Sequence, residues 1–292
     1  MAEKRRFGDR KDARRVRDID GLHAYMPFLM PRRCDAEVYI NETVDVTELL
    51  RFLEERNGPG APFKTTMFHC MLMAVSRVMH MRPLLNRFIA NKKYYMRDRL
   101  TLGFTIKKQF ADHAEETLMM LSPEETDTLA DIAGRVVQEV HSARDAEQGH
   151  GPDNILDTLK KLPRPLMCVV MGGLNFLDRH GWLPWSAMNM DTNFASVMLS
   201  NLGSIRCGAV YHHLNNFGTN GIVVTIGVIH KAVQVGDDGQ PVVRDVMELG
   251  VTLDERIADG FYFARSLKLI KHMFAHPELL DIPLGEAVDF EF

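Results

Sequence analysis

The spacing of apolar and polar residues changes several times along the chain, and each change predicts an element. In AEVYINETVDV, Val38, Ile40 and other strand formers alternate roughly with polar residues and predict a strand. It leads into DVTELLRFLEER, where Asp45 can cap backbone N–H groups, Glu48 follows three positions on and Gly58 lies just past the end. This predicts a helix from Asp45 to Arg56. From Thr65 to Met79, TTMFHCMLMAVSRVM is apolar on nearly every face, the mark of a helix enclosed by other elements and stopped by Pro83. His69 within it reads as a hydrogen-bonded core residue rather than a ligand. LTLGFTIK, Leu100 to Lys107, predicts a strand. SPEE at Ser122 offers an N-cap, a first-turn proline and two acids to a helix reaching about Arg144.

AEQGHGPDN is a turn-rich break. The block from Ile155 to Trp185, punctuated by Pro163, Pro165 and Pro184, reads as a helical insertion within 146–192. Its apolar residues Leu166, Val169, Val170, Leu174 and Leu177, with Trp182 and Trp185, need a cover: the subunit itself, a neighbour, a membrane surface or a fatty acyl chain. The last third is β-rich. FASVMLSNLG, GIVVTIGVIHKAVQV and VVRDVMELGVTL read as strands, the last two joined by the turn GDDGQP. Phe263, Leu267, Ile270 and Phe274 then repeat at helical spacing just after Asp259 and Gly260. With no internal repeat, these elements suit one α/β domain over 21–292, preceded by a flexible basic arm, 1–20.

Composition narrows the partners. A formal charge of −4 gives no reason to expect nucleic acid. The four cysteines, Cys34, Cys70, Cys168 and Cys207, are scattered without a CxxC pair, so neither a metal site nor a disulfide framework is expected, and a reducing cytoplasm fits. The N-terminal stretch has no apolar region of the kind that follows the basic residues of a signal peptide. PLMCVVMGGLNFL, the most apolar segment, falls short of the ~20 residues a transmembrane helix needs.

Three ordered blocks carry a family resemblance: LSNLGSI from Leu199, the strand GIVVTIGVI, and TLDERIADG from Thr252. They resemble the SNLG or SSLG and DHRxxDG signatures of the dihydrolipoyl acyltransferases of 2-oxoacid dehydrogenases, which are related to chloramphenicol acetyltransferase. The VDVTELL, RPLLN and KKYYMRDRLTLGFTI segments resemble the family's N-terminal half, so the similarity spans roughly residues 35–145 and 194–280. It implies a chloramphenicol acetyltransferase-like fold, a mixed-sheet two-layer sandwich, here with a helical insertion. It also implies a homotrimer with its site between subunits; the lack of a lipoyl or subunit-binding domain before the region departs from the family's pattern and reads as a freestanding acyltransferase.

The resemblance also assigns roles. Ser200 matches the donor to the tetrahedral oxyanion, with Asn201 and Gly203 in the same motif. Asp259 matches an aspartate that pairs with an arginine, for which Arg32 and Arg33 are the nearby candidates. Arg256 matches the motif arginine, and Gly260 is expected to permit a tight turn. Glu255 stands where the family places the histidine that takes the thiol proton. A glutamate near pKa 4.3 facing a thiol near 8.5 is short by about 4 units, or about 6 kcal/mol. Glu255 therefore fits thiol activation only with a raised pKa, fits an amine or alcohol acceptor better, or leaves the base to His212 or His213. The expected activity is acyl transfer from a coenzyme A thioester, bound as substrate with no permanent cofactor and no metal. The other reading is an inactive trimeric binding or scaffold protein that keeps a coenzyme A or lipid channel, with Glu255 in a structural salt bridge.

Overall fold

The computed structural model describes residue 6 and residues 9–107, 116–145, 161–189, 191–236 and 238–290. A small antiparallel sheet joins β1 (Ala13–Arg15), β4 (Lys93–Arg97) and β3 (Arg87–Ala90). The main sheet contains β2 (Glu37–Asp45), β5 (Leu102–Lys107), β6 (Glu116–Leu121), β7 (Val197–Asn201), β8 (Ile222–Ile226), β9 (His230–Val235) and β10 (Pro241–Asp254). Its order is β2-β10-β8-β7-β5-β6, with β9 beside the outer half of β10. β7 runs parallel to β5 and β8, and the other pairs are antiparallel, so the sheet is mixed.

The helices are α1 (Gly21–Leu29), α2 (Thr47–Arg56), α3 (Met67–Met81), α4 (Leu129–Asp145), α5 (Arg164–Arg179), α6 (Trp185–Met188) and α7 (Gly260–Ala275). α2, α3, α4 and α7 form the second layer. Leu102, Phe104, Val197, Leu199, Val224, Leu249 and Val251 alternate along their strands and point into it. α3 lies at the centre of the helical layer, with Cys70 to Ala74 fully buried, as its all-round apolar pattern predicts. It ends before Pro83, which has no N–H to continue it. Buried Arg77 holds the C-terminal tail by donating to the carbonyls of Ile282, Pro283 and Glu286.

The helix expected from Ser122 begins later. SPEE forms a turn, and the cap is made by Thr128 and Asp131, whose side chains each accept from the other's backbone N–H.

The expectation of a flexible arm over 1–20 is corrected for residues 9–20, while residues 1–5, 7 and 8 lie outside the described residues. β1 pairs with β4 and buries Ala13 completely. Arg10 is only 1% exposed. It donates to both Asp12 carboxylate oxygens at 2.9 and 3.0 Å and to Asp178 Oδ1 at 2.8 Å, and it stacks on Phe88. Opposite charge on the insertion thus holds what composition alone reads as an arm.

Of the insertion, residues 146–160 lie outside the described residues. α5 ends at Gly181, with φ 69°, where Gly181 and Trp182 N–H groups return to the Asp178 and Leu177 carbonyls. A Cβ on Gly181 would also lie 2.6 Å from Arg10 Cγ. Leu174 and Trp185 pack on Leu183, Met188 and Phe194, whereas Leu166, Val169, Phe176, Leu177 and Trp182 are exposed. No helix among the described residues is long and apolar enough to cross a membrane.

Candidate functional site

Ser200 lies at the C-terminal end of β7 on the face turned away from the helical layer. Register sets it level with Thr225 of β8, which is level with Gly250 of β10 and, through it, Asn41 of β2. Its hydroxyl has no hydrogen-bond partner among the described residues. Ser200 borders a groove of about 610 Å³ that is also lined by the apolar Phe68, Phe104 and Val136 and by His69 and His212. Asn201 shapes the turn beyond the strand by accepting from Ser204 N–H through Oδ1 at 3.3 Å. A Cβ on Gly203 would come within 2.6 Å of the Gly227 carbonyl oxygen, so glycine is needed there.

The chain from Cys207 to Tyr211 crosses the sheet as a strap with almost no side chain beneath it. A Cβ on Gly227 would sit 2.7 Å from Ala209 N, and one on Gly250 would strike the Val210 carbonyl. Thr225 fastens the strap: its hydroxyl accepts from Val210 N–H at 3.2 Å and donates to the Val210 carbonyl. The strap delivers His212 to the groove, where its ring stacks on His213 with centroids 4.7 Å apart. Further on, Leu214 N–H donates to Glu37 Oε1 at 2.5 Å, and the Arg33 and Cys34 N–H groups donate to Asn216 Oδ1.

Glu255 begins the turn after β10, partly exposed, with its N–H donating to the Ala36 carbonyl at 3.0 Å. Its neighbours are fixed rigidly. Arg256 makes a buried bidentate pair with Asp254, at 2.7 and 2.6 Å, and donates to the Met30 carbonyl at 2.6 Å. The structural salt bridge expected near position 255 is therefore made by Asp254.

Asp259 is the N-cap of α7, accepting from Tyr262 N–H at 2.7 Å, and no arginine among the described residues pairs with it. Arg32 pairs with exposed Asp35. Arg33 is buried against the carbonyls of Asn215 and Gly218 and holds the far end of the strap. Gly260 also departs from expectation: it has no positive φ and an added Cβ would meet nothing, because the turn is made by the Asp259 cap. Beside Ser200 and under the strap, close approach requires glycine at Gly203, Gly227 and Gly250.

Within one chain Ser200 and His212 line one groove, and Glu255 lies apart from Ser200. Glu255 is five residues beyond Gly250, the residue level with Ser200. At about 3.3 Å per residue this places it about 17 Å further along the sheet.

The sequence reads His69 as a hydrogen-bonded core residue, and it is 6% exposed, with Nδ1 accepting from Thr66 N–H at 3.2 Å. It also lines the Ser200 groove. The visible signal was TTMFH, a capping box with histidine at its third helical position. Burial pushes its pKa down to about 4. Among the described residues no group of three or more His, Cys, Asp or Glu side chains could hold a metal ion.

This fold is that of the chloramphenicol acetyltransferase-like acyltransferases. Residues 188–282, about a third of the chain, match the family model described as 2-oxoacid dehydrogenases acyltransferase (catalytic domain). A probable dihydrolipoamide acetyltransferase from Listeria monocytogenes is similar at TM-score 0.60 and 17% identity, covering 89% of this chain and 94% of that one. The Azotobacter vinelandii dihydrolipoamide acetyltransferase, in whose catalytic mechanism a serine, a histidine and an asparagine have been investigated, is similar at TM-score 0.60 and 17% identity, covering 91% and 94%. A chloramphenicol acetyltransferase is similar at TM-score 0.56 and 10% identity, covering 90% and 99%. No curated protein sequence matches the chain.

Proposed function

We propose that this chain is an acyltransferase that takes the acyl group from a coenzyme A thioester, with Ser200 as the donor to the tetrahedral oxyanion. The observation that carries the reading is the unpartnered Ser200 hydroxyl bordering a groove, within the segment that matches the acyltransferase family model. The nucleophile attacks the thioester carbonyl, negative charge gathers on oxygen, and a hydroxyl already aimed there stabilises it without reorganisation. The C–S bond then breaks and coenzyme A leaves as the thiol, taking up the proton released by the nucleophile.

Glu255 is assigned to that proton. In the Azotobacter protein the histidine and asparagine investigated stand four residues apart, the spacing of Glu255 and Asp259 here. A carboxylate is a weak base for a thiol. An amine becomes cationic and far more acidic as it attacks, and a carboxylate can take that late proton, so the acceptor class that Glu255 favours is an amine. Because Glu255 and Ser200 lie at opposite ends of one sheet, the working site pairs Ser200 of one copy with Glu255 of another, as in a trimer with sites between subunits. The same assembly would cover the exposed apolar face of α5.

The test is an assay of purified protein with several acyl-CoA donors against thiol, amine and alcohol acceptors. Turnover that falls about 100-fold or more in Ser200→Ala supports the reading. Turnover indifferent to Ser200, or none with any donor, overturns it. Glu255→His separates the acceptor classes, since gain of thiol transfer at the expense of amine transfer is expected.

A further inference from the structure

Apart from the strap histidines, the Ser200 groove holds one imidazole that the proposed chemistry does not use. Thr66 precedes α3 with extended backbone, and His69, three residues on, turns its ring back so that Nδ1 accepts from the Thr66 N–H at 3.2 Å. An accepting Nδ1 carries no proton. The neutral ring is therefore the tautomer protonated at Nε2, which can only donate.

Nε2 has no partner among the described residues, yet it is absent from the buried polar atoms left without one. The ring is 6% exposed and lines the groove that Ser200 also borders, so the small exposed part of it includes the Nε2–H, which opens on that groove. Phe68 and Phe104, packed edge to face with centroids 5.4 Å apart, make the adjoining wall apolar. An uncharged donor beside such a wall favours a ligand oxygen that accepts without carrying full charge.

We infer that His69 is a ligand-binding residue, a neutral donor locked in one tautomer by the α3 cap, which hydrogen-bonds through Nε2 to a carbonyl oxygen of the thioester ligand. The inference rests on the acyl-CoA reading above. It assigns His69 no proton transfer. Burial holds its pKa near 4, and no charged side chain contributes to that shift, so the ring stays a neutral donor throughout the working range of such an enzyme.

Two substitutions separate the two ring nitrogens. In His69→Asn, the amide oxygen takes the place of Nδ1 and keeps the cap, while the donor into the groove is lost. In His69→Gln, the amide nitrogen reaches the position of Nε2 and keeps the donor, while the cap is lost. Affinity for acetyl-CoA, measured by titration calorimetry, and melting temperature are read for both variants and for Ser200→Ala.

The expected pattern is crossed. Asn loses affinity about tenfold, the worth of one hydrogen bond, with little change in melting temperature. Gln keeps affinity within about threefold, at a lower melting temperature. A purely structural His69 would move affinity and melting temperature together in both variants, or leave affinity unchanged in Asn, and either result overturns the inference. Wild-type protein that binds no acyl-CoA overturns the acyl-CoA reading and this inference with it. Binding by wild type that is unchanged in Asn overturns the inference alone.

Discussion

Ser200 and Glu255 sit at opposite ends of one β-sheet, about 17 Å apart along the strand direction, because β7 and β10 run antiparallel and their C-terminal ends face opposite ways. No side-chain rotation closes such a gap. If both act on one thioester they come from two copies of the chain. Ser200→Ala and Glu255→Gln, each nearly inactive alone, should then complement when co-expressed with different tags and purified through both. Purification through both tags leaves only mixed trimers, in each of which one of the three sites, about one third, combines an intact Ser200 with an intact Glu255. Activity near that fraction of wild type is the expected outcome, and no recovery in doubly tagged protein would exclude a shared site.

His69 gives the fold a pH dependence of known sign. Its folded pKa, about 4, lies below the unfolded value near 6.5, so between these values the unfolded chain binds a proton that the folded chain does not. Its contribution is therefore constant above about pH 6.5, and stability falls as the pH drops from there to about 4. The loss approaches about 3 kcal/mol. Urea unfolding at fixed protein concentration should show this slope in wild type and a shallower one in His69→Asn. Equal slopes would remove His69 as the source.

Much of the main sheet and the helical layer was legible because each element carries its own period: alternation in β2 and the β9–β10 hairpin, an all-round apolar α3, helical spacing in α7. Ser200 was legible because SNLG is a local string. Roles that depend on long-range contact were not. Arg10 looked like part of a basic arm because its partner Asp178 is 168 residues away. Gly250 looked like an ordinary strand residue because the strap above it comes from residues 207–211. Gly260 looked like a turn glycine because the cap that makes the turn belongs to its neighbour. Arg33 was in view, but its true partners are carbonyls, which no sequence motif displays.

The glycines can be told apart by experiment. Gly250→Ala drives a methyl group into the Val210 carbonyl, backbone on both sides, and should cost at least about 2 kcal/mol. It should also raise the hydrogen exchange of Val210, whose amide is held by Thr225. Gly260→Ala meets open space at ordinary φ and lies at the start of a helix, so it should stay within about 1 kcal/mol of wild type. A reversed order would mean that the tight turn, rather than the strap, is the feature that requires glycine.

The Arg10–Asp178 contact ties the insertion to the N-terminal strand, and it is the kind of pair whose loss is felt more than its presence. Arg10, Asp12 and Asp178 are all nearly excluded from water, and the two carboxylates share the Arg10 guanidinium as their hydrogen-bonded ion-pair partner. Arg10→Met takes from both of them their hydrogen-bonded counter-charge and leaves Arg97 acting only at longer range, at a cost of about 3–5 kcal/mol. Asp178→Asn keeps an acceptor oxygen at the same place and leaves Asp12 on the guanidinium, so its cost should be clearly smaller. The two variants should also differ in where the chain opens. With Arg10 gone, the turn at Gly181 loses its packing partner, and limited proteolysis should cut within 161–189 well before global unfolding, while the α2–α3–α4–α7 layer stays protected. If Arg10→Met is instead cleaved everywhere at once, the contact stabilises the domain as a whole rather than anchoring the insertion.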